Sequence, residues 1–290
     1  MNKIIKSLLF TFATVAIITA CDKIDEPFLK PSGQTGGDDT TKVVKKVLLE
    51  DFTGHKCTNC PAAAIIAKNL ATQYPDRIIT IGVHAGYFAK ADQLGDFTAS
   101  YSNATSEELN TFYGVESNPA GLINRTATDG QVVFGKDQWE TLVNLELAKE
   151  AEMSITLKTV YNQSTRLLNI TADVKSLKDL SGLYNIVFAI IEDSLQSPQK
   201  NVDAFAGNTP IIYDYVHMHV LRGNLNGTFG SELNSTEGIS SGSIITKYAS
   251  TTLDSKWVAK NIKIVAYVIN RSSDKYQTSV IQAEEKEIID

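Results

Sequence analysis

The residues best placed for chemistry are Cys57 and Cys60, separated by Thr58-Asn59 and followed by Pro61. They lie between a β-branched run suited to a buried strand, Val43–Phe52, and a stretch whose Ile65, Ile66, Leu70 and Tyr74 recur at helical spacing. Two cysteines three positions apart at a helix start can close a tight disulfide. The first thiol then faces backbone N–H groups that have no partner within the helix, at the positive end of the helix dipole. That setting favours thiolate over thiol and makes Cys57 the nucleophile; His55 and Lys56 would push the same way. Metal sites use the same C-x-x-C spacing. Zinc or copper(I) would need a further ligand, for which His55 and His84 are the candidates. As an inert staple the pair is poor, because so short a loop removes little chain entropy. Redox chemistry is therefore the expectation, with no metal or other cofactor assigned.

The residues around this pair carry two readings each. Asp51 is either a buried acid of raised pKa that moves a proton to Cys60, or a solvent-facing residue like Glu50. His84, at the end of an expected strand, is a local hydrogen-bonding residue or a third ligand. His217 and His219 stand two apart on an expected strand and so share a face; half-exposed sheet residues are the expectation there, rather than a metal pair. Ala85–Ser106 holds Tyr87, Phe88, Phe97 and Tyr101 among small residues. It reads as a lid beside the thiols or as a long loop with aromatics packed beneath it.

The third cysteine belongs to a different pattern. Met1–Ala20 has Lys3 and Lys6, then an apolar run and the small residues Thr19 and Ala20, the order of a secretory signal peptide. Ile18-Thr19-Ala20-Cys21 resembles the bacterial lipobox, which implies an acylated Cys21 as the mature N-terminus. Several acyl chains on one residue hold a protein stably to a membrane. Residues 21–42, rich in Gly, Pro, Asp, Thr and Lys, read as a flexible tether. Lys23, Asp25 and Glu26 resemble the surface-export signals of Bacteroidota lipoproteins, which implies display on the outer membrane. Without Lys3 and Lys6, 25 of the 27 basic residues remain against 33 acidic ones, a net of −8. Such a surface disfavours nucleic acid as a partner.

The body divides by pattern. Over 43–151, strands at Val43–Phe52 and Arg77–His84 alternate with helices at Ala62–Tyr74 and Ser106–Tyr113, the latter capped by Thr105 or Ser106. Strands at Ala120–Arg125 and Gln131–Phe134 and a helix at Lys136–Ala151 follow, a mixed α/β order with a parallel βαβ unit at its start. Over 152–290 the helical signal vanishes. Met153–Val160, Leu167–Val174, Tyr184–Glu192, Ile211–Leu221, Ser243–Tyr248, Ile262–Ile269 and Gln277–Ala283 read as strands. Their number and spacing suggest a separate antiparallel β-sandwich of immunoglobulin-like type.

Asp51-Phe52-Thr53-Gly54-His55-Lys56-Cys57-Thr58-Asn59-Cys60 resembles the active-site segment of thioredoxins, with Asp51 where that family has its buried acid. Phe112-Tyr113-Gly114-Val115-Glu116-Ser117-Asn118-Pro119-Ala120 resembles the family's approach to its cis-proline. The resemblance implies a cis bond at Pro119 and a docking edge at Asn118 for an extended substrate. Lys56 in place of an aromatic residue, and Thr58-Asn59 in place of Gly-Pro, depart from the family and leave the redox direction open. More of the chain, from Val43 onward, resembles the outer membrane protein 28-related family of Bacteroidota lipoproteins. Phe52–Cys57 with Cys60-Pro61, and Tyr215-Val216-His217-Met218-His219-Val220-Leu221-Arg222, carry that likeness.

The expectation is a lipid-anchored envelope thiol–disulfide oxidoreductase acting on protein disulfides or thiols. Cys57 attacks, Cys60 resolves, Pro119 shapes the docking edge and Asp51 moves the proton. The alternatives are an adhesion or ligand-binding lipoprotein that uses the thioredoxin-like domain as a scaffold, and copper or zinc delivery through the cysteine pair.

Overall fold

The computed structural model describes residues 43–289. The expected signal peptide, the expected lipidation site Cys21 and the expected tether lie outside the described residues.

The chain enters through β1 (Val47–Thr53), followed by α1 (Cys60–Gln73) and β2 (Ile78–His84). β1 and β2 are parallel, in register from Val47 opposite Ile78 to Thr53 opposite His84. Both are buried along nearly their whole length, as strands covered on both faces are, although β1 carries Glu50 and Asp51 within its apolar run. After a single turn at Gly86–Ala89 comes α2 (Ala104–Tyr113). Its cap is Asn103, not Thr105 or Ser106: the Asn103 side chain accepts from the Ser106 N–H while the Ser106 hydroxyl takes the Asn103 N–H. This reciprocal pair satisfies two otherwise partnerless donors and starts the helix earlier than its apolar pattern indicates. β3 (Ala120–Ile123) runs antiparallel to β1, with Ala120 opposite Phe52. The strand expected at Gln131–Phe134 is reduced to isolated bridges, Gly121 to Phe134 and Thr128 to Gln131. α3 (Trp139–Leu147) stops short of Ala151. Its Trp139 is fully buried and lies so close to Gly121 that a Cβ there would come within 2.4 Å of the indole nitrogen.

The remaining strands are β4 (Met153–Asn162), β5 (Leu167–Ser176), β6 (Tyr184–Glu192), β7 (Val220–Asn224), β8 (Ile244–Thr252), β9 (Ile262–Asn270) and β10 (Val280–Glu287). The single strand expected over Ile211–Leu221 is broken. Ile211–Ile212 and Val216–His217 are short pairs, and β7 begins only after His219, whose φ of 56° turns the chain out of the extended region.

The sheet corrects the division at 151/152. One eight-stranded sheet runs β10-β9-β6-β7-β2-β1-β3, with Ser231–Glu232 also pairing on β6. The junction is β7, parallel to β2 through Val220 opposite Gly82 and antiparallel to β6. Residues on both sides of position 152 thus share one hydrogen-bonded layer, and the described chain forms one compact unit. Three apolar clusters cover the layer. On one face of β1, β2 and β3, the α1 and α3 side chains Ala63, Leu70, Trp139 and Val143 pack over Val47, Leu49 and Ile123. On the opposite face, Leu109 and Tyr113 of α2 join Leu48, Phe52 and Ile81 to Val187, Ala189, Val265 and Tyr267. The third cluster lies between β6 and β9 and a separate antiparallel sheet, β8-β5-β4. β6 serves two cores because successive side chains point to opposite faces: Val187, Ala189 and Ile191 to one, Ile186, Phe188 and Ile190 to the other.

Two buried polar links tie the halves further. Arg125, fully buried, donates to both carboxylate oxygens of Glu50 at 2.7 and 2.6 Å and to the Tyr267 hydroxyl at 3.0 Å. Lys45 donates to the carbonyls of Val280 and Ile281 in β10.

Candidate functional site

Cys57 and Cys60 are joined as a disulfide, with their Cα atoms 5.5 Å apart. They sit where the loop leaving β1 turns into α1, with Pro61 in the first turn of the helix. The helix start has no side-chain cap, and its first turn holds no acidic residue. The positive end of the dipole is therefore left to Cys57, the arrangement that stabilises a thiolate once the bond is reduced.

The alternation along β1 decides what lies beneath. Glu50 faces the α2 side, where Arg125 neutralises it, so the expected solvent exposure of Glu50 is incorrect. Asp51 faces the α1 side, 6% exposed, and its Oδ1 has no hydrogen-bond partner. Burial without a compensating cation raises its pKa from 3.8 to about 7. Pro119 is in cis after Asn118 and directly precedes β3. With Ala120 opposite Phe52, it stands at the end of β1 from which the cysteine loop departs.

Two segments close over that loop. The first is the turn after β2. The Lys56 N–H donates to the Phe88 carbonyl at 3.0 Å, and a Cβ on Gly54 would lie 2.4 Å from the Phe88 carbonyl carbon. Only glycine permits that approach. The His55 ring stacks on Phe97, with centroids 5.5 Å apart, and its Nε2 lies 3.3 Å from the Lys90 carbonyl. Burial lowers its pKa, so His55 does not supply the cation expected beside Cys57. Nor does Lys56 have a free charge: its ammonium donates to Asp92 at 2.8 Å. The Ala85–Ser106 stretch is thus packed, with Phe97 and Tyr101 buried and Tyr87 exposed.

The second segment is a strap between β6 and β7, residues 193–219, which the sequence pattern did not reveal. It is held by two short ladders, Leu195–Gln196 with Val216–His217 and Gln199–Lys200 with Ile211–Ile212. The Lys200 N–H donates to the His55 carbonyl at 2.8 Å and the Val202 N–H to the Thr58 carbonyl at 3.1 Å. Gln199, 2% exposed, donates through Nε2 to the Cys57 carbonyl at 2.7 Å. Nothing local in the sequence marks Gln199, because its partner is 142 residues away. Under this cover both cysteines are only 2% exposed.

Strap and strand together build a ring cluster. His84 lies 5.4 Å from His217 and 5.2 Å from Tyr101 between centroids, and Tyr215 lies 4.8 Å from His217. The His217 Nε2 is 3.0 Å from the Ser197 hydroxyl. Burial pushes the His217 pKa down to about 4 and that of His84 well below 6.5, so both are neutral. Burial, with the Asp51 carboxyl nearby, raises the Tyr215 hydroxyl to about 12. His217 and His219 do not share a face. His217 is buried, whereas the backbone of His219 is left-handed and its Nδ1 meets Asp193 at 3.0 Å. Among the described residues, no three His, Cys, Asp or Glu side chains gather as a metal cluster would require.

The family model for the outer membrane protein Omp28 matches residues 106–289, more than half of the 290-residue chain. The chain belongs to the Omp28 family. That membership puts it among outer-membrane proteins. No curated protein matches. Among solved structures, this Omp28 chain is similar to HBP35 of Porphyromonas gingivalis, at 17% identity over 84% of this chain and 76% of that one, with a TM-score of 0.62. It is also similar to a protein of Agrobacterium tumefaciens, at 14% identity over 85% and 96%, with a TM-score of 0.55. A domain of the outer membrane lipoprotein Omp28 from Porphyromonas gingivalis aligns at 17% identity over 48% and 88%, with a TM-score of 0.31. At these identities the first two likenesses concern the fold alone, a mixed α/β arrangement rich in sheet. The Omp28 match begins within α2 and covers every element after it, but starts well after the cysteine pair.

Proposed function

We propose that this Omp28-family protein is a thiol–disulfide oxidoreductase, lipid-anchored at the outer membrane through Cys21, whose β1-to-α3 portion is a thioredoxin-like unit. The observation that carries the reading is the Cys57–Cys60 disulfide at an uncapped helix start, directly after a buried parallel strand. The antiparallel β3 beside β1, with α1 and α3 on one face and α2 on the other, supports it.

In the reducing direction, the Cys57 thiolate attacks one sulfur of a substrate disulfide and expels the other as a thiolate. Cys60 loses its proton, assisted by Asp51, and attacks the Cys57 sulfur of the mixed disulfide. That releases the second substrate thiolate and restores the Cys57–Cys60 bond. Two electrons pass from the protein dithiol to the substrate. The run in the other direction oxidises a substrate dithiol by the same steps reversed. Pro119 offers no N–H and shapes the edge on which an extended substrate docks. With both sulfurs covered, exchange requires Lys200–Val202 to release the carbonyls of His55 and Thr58.

The test is insulin reduction by the purified protein with dithiothreitol as electron source. Turnover above the reductant alone is expected, with its loss in Cys57→Ser. Equal turnover by wild type and Cys57→Ser would overturn the proposal. The reduction potential then sets the direction: about −270 mV marks a reductant and about −120 mV an oxidant.

A further inference from the structure

Beside the cysteine loop lies a half-open cavity of about 610 Å³; of the residues assigned to thiol exchange, only Asp51 lines it. Its volume falls within the roughly 300–1,000 Å³ typical of small-molecule sites. Small side chains on α1, Ala64, Ala67 and Ala71, leave room along this wall, beside Ile65 and Lys68. The opposite wall is the strap, and the floor is the first two strands of the sheet.

Part of the polar lining forms a close cluster, with the rings of His84 and Tyr215 both against His217. Asp51, His84, Tyr215 and His217 all line the cavity. Asp51 and His84 are 6% and 3% exposed, and Asp51 Oδ1 and both ring nitrogens of His84 have no hydrogen-bond partner within the protein. Buried polar atoms left without partners are costly, and a ligand that supplies those partners recovers the cost. Burial keeps the imidazoles neutral and favours the protonated carboxyl of Asp51. These groups thus offer hydrogen-bond donors and acceptors without a fixed charge. Lys68, the one lysine or arginine in the lining, is exposed on α1.

We propose that this cavity binds a small uncharged organic molecule with a planar apolar body and a hydroxyl or carbonyl group directed at Asp51 and His84. The apolar body lies between α1 and the rings of Tyr215 and His217, and the polar group meets the unpartnered atoms on the floor. A charged ligand would lose its hydration there without gaining a permanent counter-ion.

Calorimetric titration at pH 6 with four naphthalene probes tests this: 1-naphthol, naphthalene, 1-naphthoate and 1-naphthylmethylammonium. One-to-one binding of 1-naphthol is expected, at least about tenfold tighter than each of the others. His84→Leu should abolish the preference for 1-naphthol over naphthalene. Ala64→Leu, at a half-buried position, should fill the space and weaken 1-naphthol by about tenfold or more. Circular dichroism melting of both variants confirms that they are folded. No binding of 1-naphthol up to about 1 mM, equal affinity for all four probes, preference for a charged probe, or unchanged binding in the folded variants would each overturn the proposal. The titration is repeated on Cys57→Ser/Cys60→Ser, where binding should persist, so its outcome is independent of the redox assignment.

Discussion

Replacing Asp51 with asparagine isolates the cost of holding a carboxylate inside the sheet. The side chain is buried, one of its oxygens has no partner, and its pKa rises from 3.8 to about 7. Between those values the folded chain binds a proton that the unfolded chain releases. This group's contribution to stability is therefore complete below the unfolded value and lost as the pH rises through about 7. A difference of about three pH units, at about 1.4 kcal/mol each, amounts to about 4 kcal/mol. Asparagine keeps the shape and cannot ionise. Asp51→Asn should leave stability nearly unchanged near the unfolded pKa and raise it by up to about 4 kcal/mol above pH 8. Urea unfolding of the oxidised protein, followed by circular dichroism at several pH values, reads both limits. Parallel stability–pH profiles for wild type and variant would refute the reasoning, because they would mean that the carboxyl ionises as freely folded as unfolded.

Arg125→Met should destabilise the fold by about 3–5 kcal/mol in urea, because it leaves the Glu50 carboxylate buried and unpaired. Adding Glu50→Gln should recover much of that loss, and a double variant as unstable as the single would count against the pairing argument. His84 and His217 are held neutral by burial, so below about pH 6.5 the unfolded chain binds two protons that the folded chain does not until about pH 4 for His217. Asp51 opposes this with one proton, leaving a net loss of stability on acidification from these three groups. The thermal midpoint should fall between pH 6.5 and 4.5 and fall less steeply in His217→Gln; identical slopes would contradict the burial of His217.

The candidate site was legible where its signal is short-range. Cys57, Cys60 and Pro61 announce themselves by spacing, and Pro119 by the resemblance of the segment before it. The roles of the charged neighbours were not legible. Lys56 looks like a cation beside a thiol, but Asp92, 36 residues on, holds its ammonium. His55 has the right position and the wrong charge, because Phe97 and the Lys90 carbonyl enclose it. His217 and His219 obey a two-residue alternation only if the strand continues between them, and the left-handed turn at His219 ends it. The same break hid the strap, whose ladders are two residues each and leave no periodic trace.

The amino-acid sequence by itself determined the local pieces: a disulfide-forming pair at a helix start, the strands and helices around it, and their mixed α/β order. These follow from periodicity, turn chemistry and capping within a few residues, which any fold must respect. It did not determine that the pieces form one sheet. β7 joins β2 through Val220 and Gly82, far apart in the chain, and β6 and β9 then bury both faces against different layers. That closure places Gln199 and Lys200 over the cysteine loop and sets Asp51, His84 and His217 around one cavity. Only tertiary packing decides which titratable groups lose water, and hence which carry charge. The cysteine pair was readable from its spacing; its cover, its neutral surroundings and the space beside it belong to the folded chain.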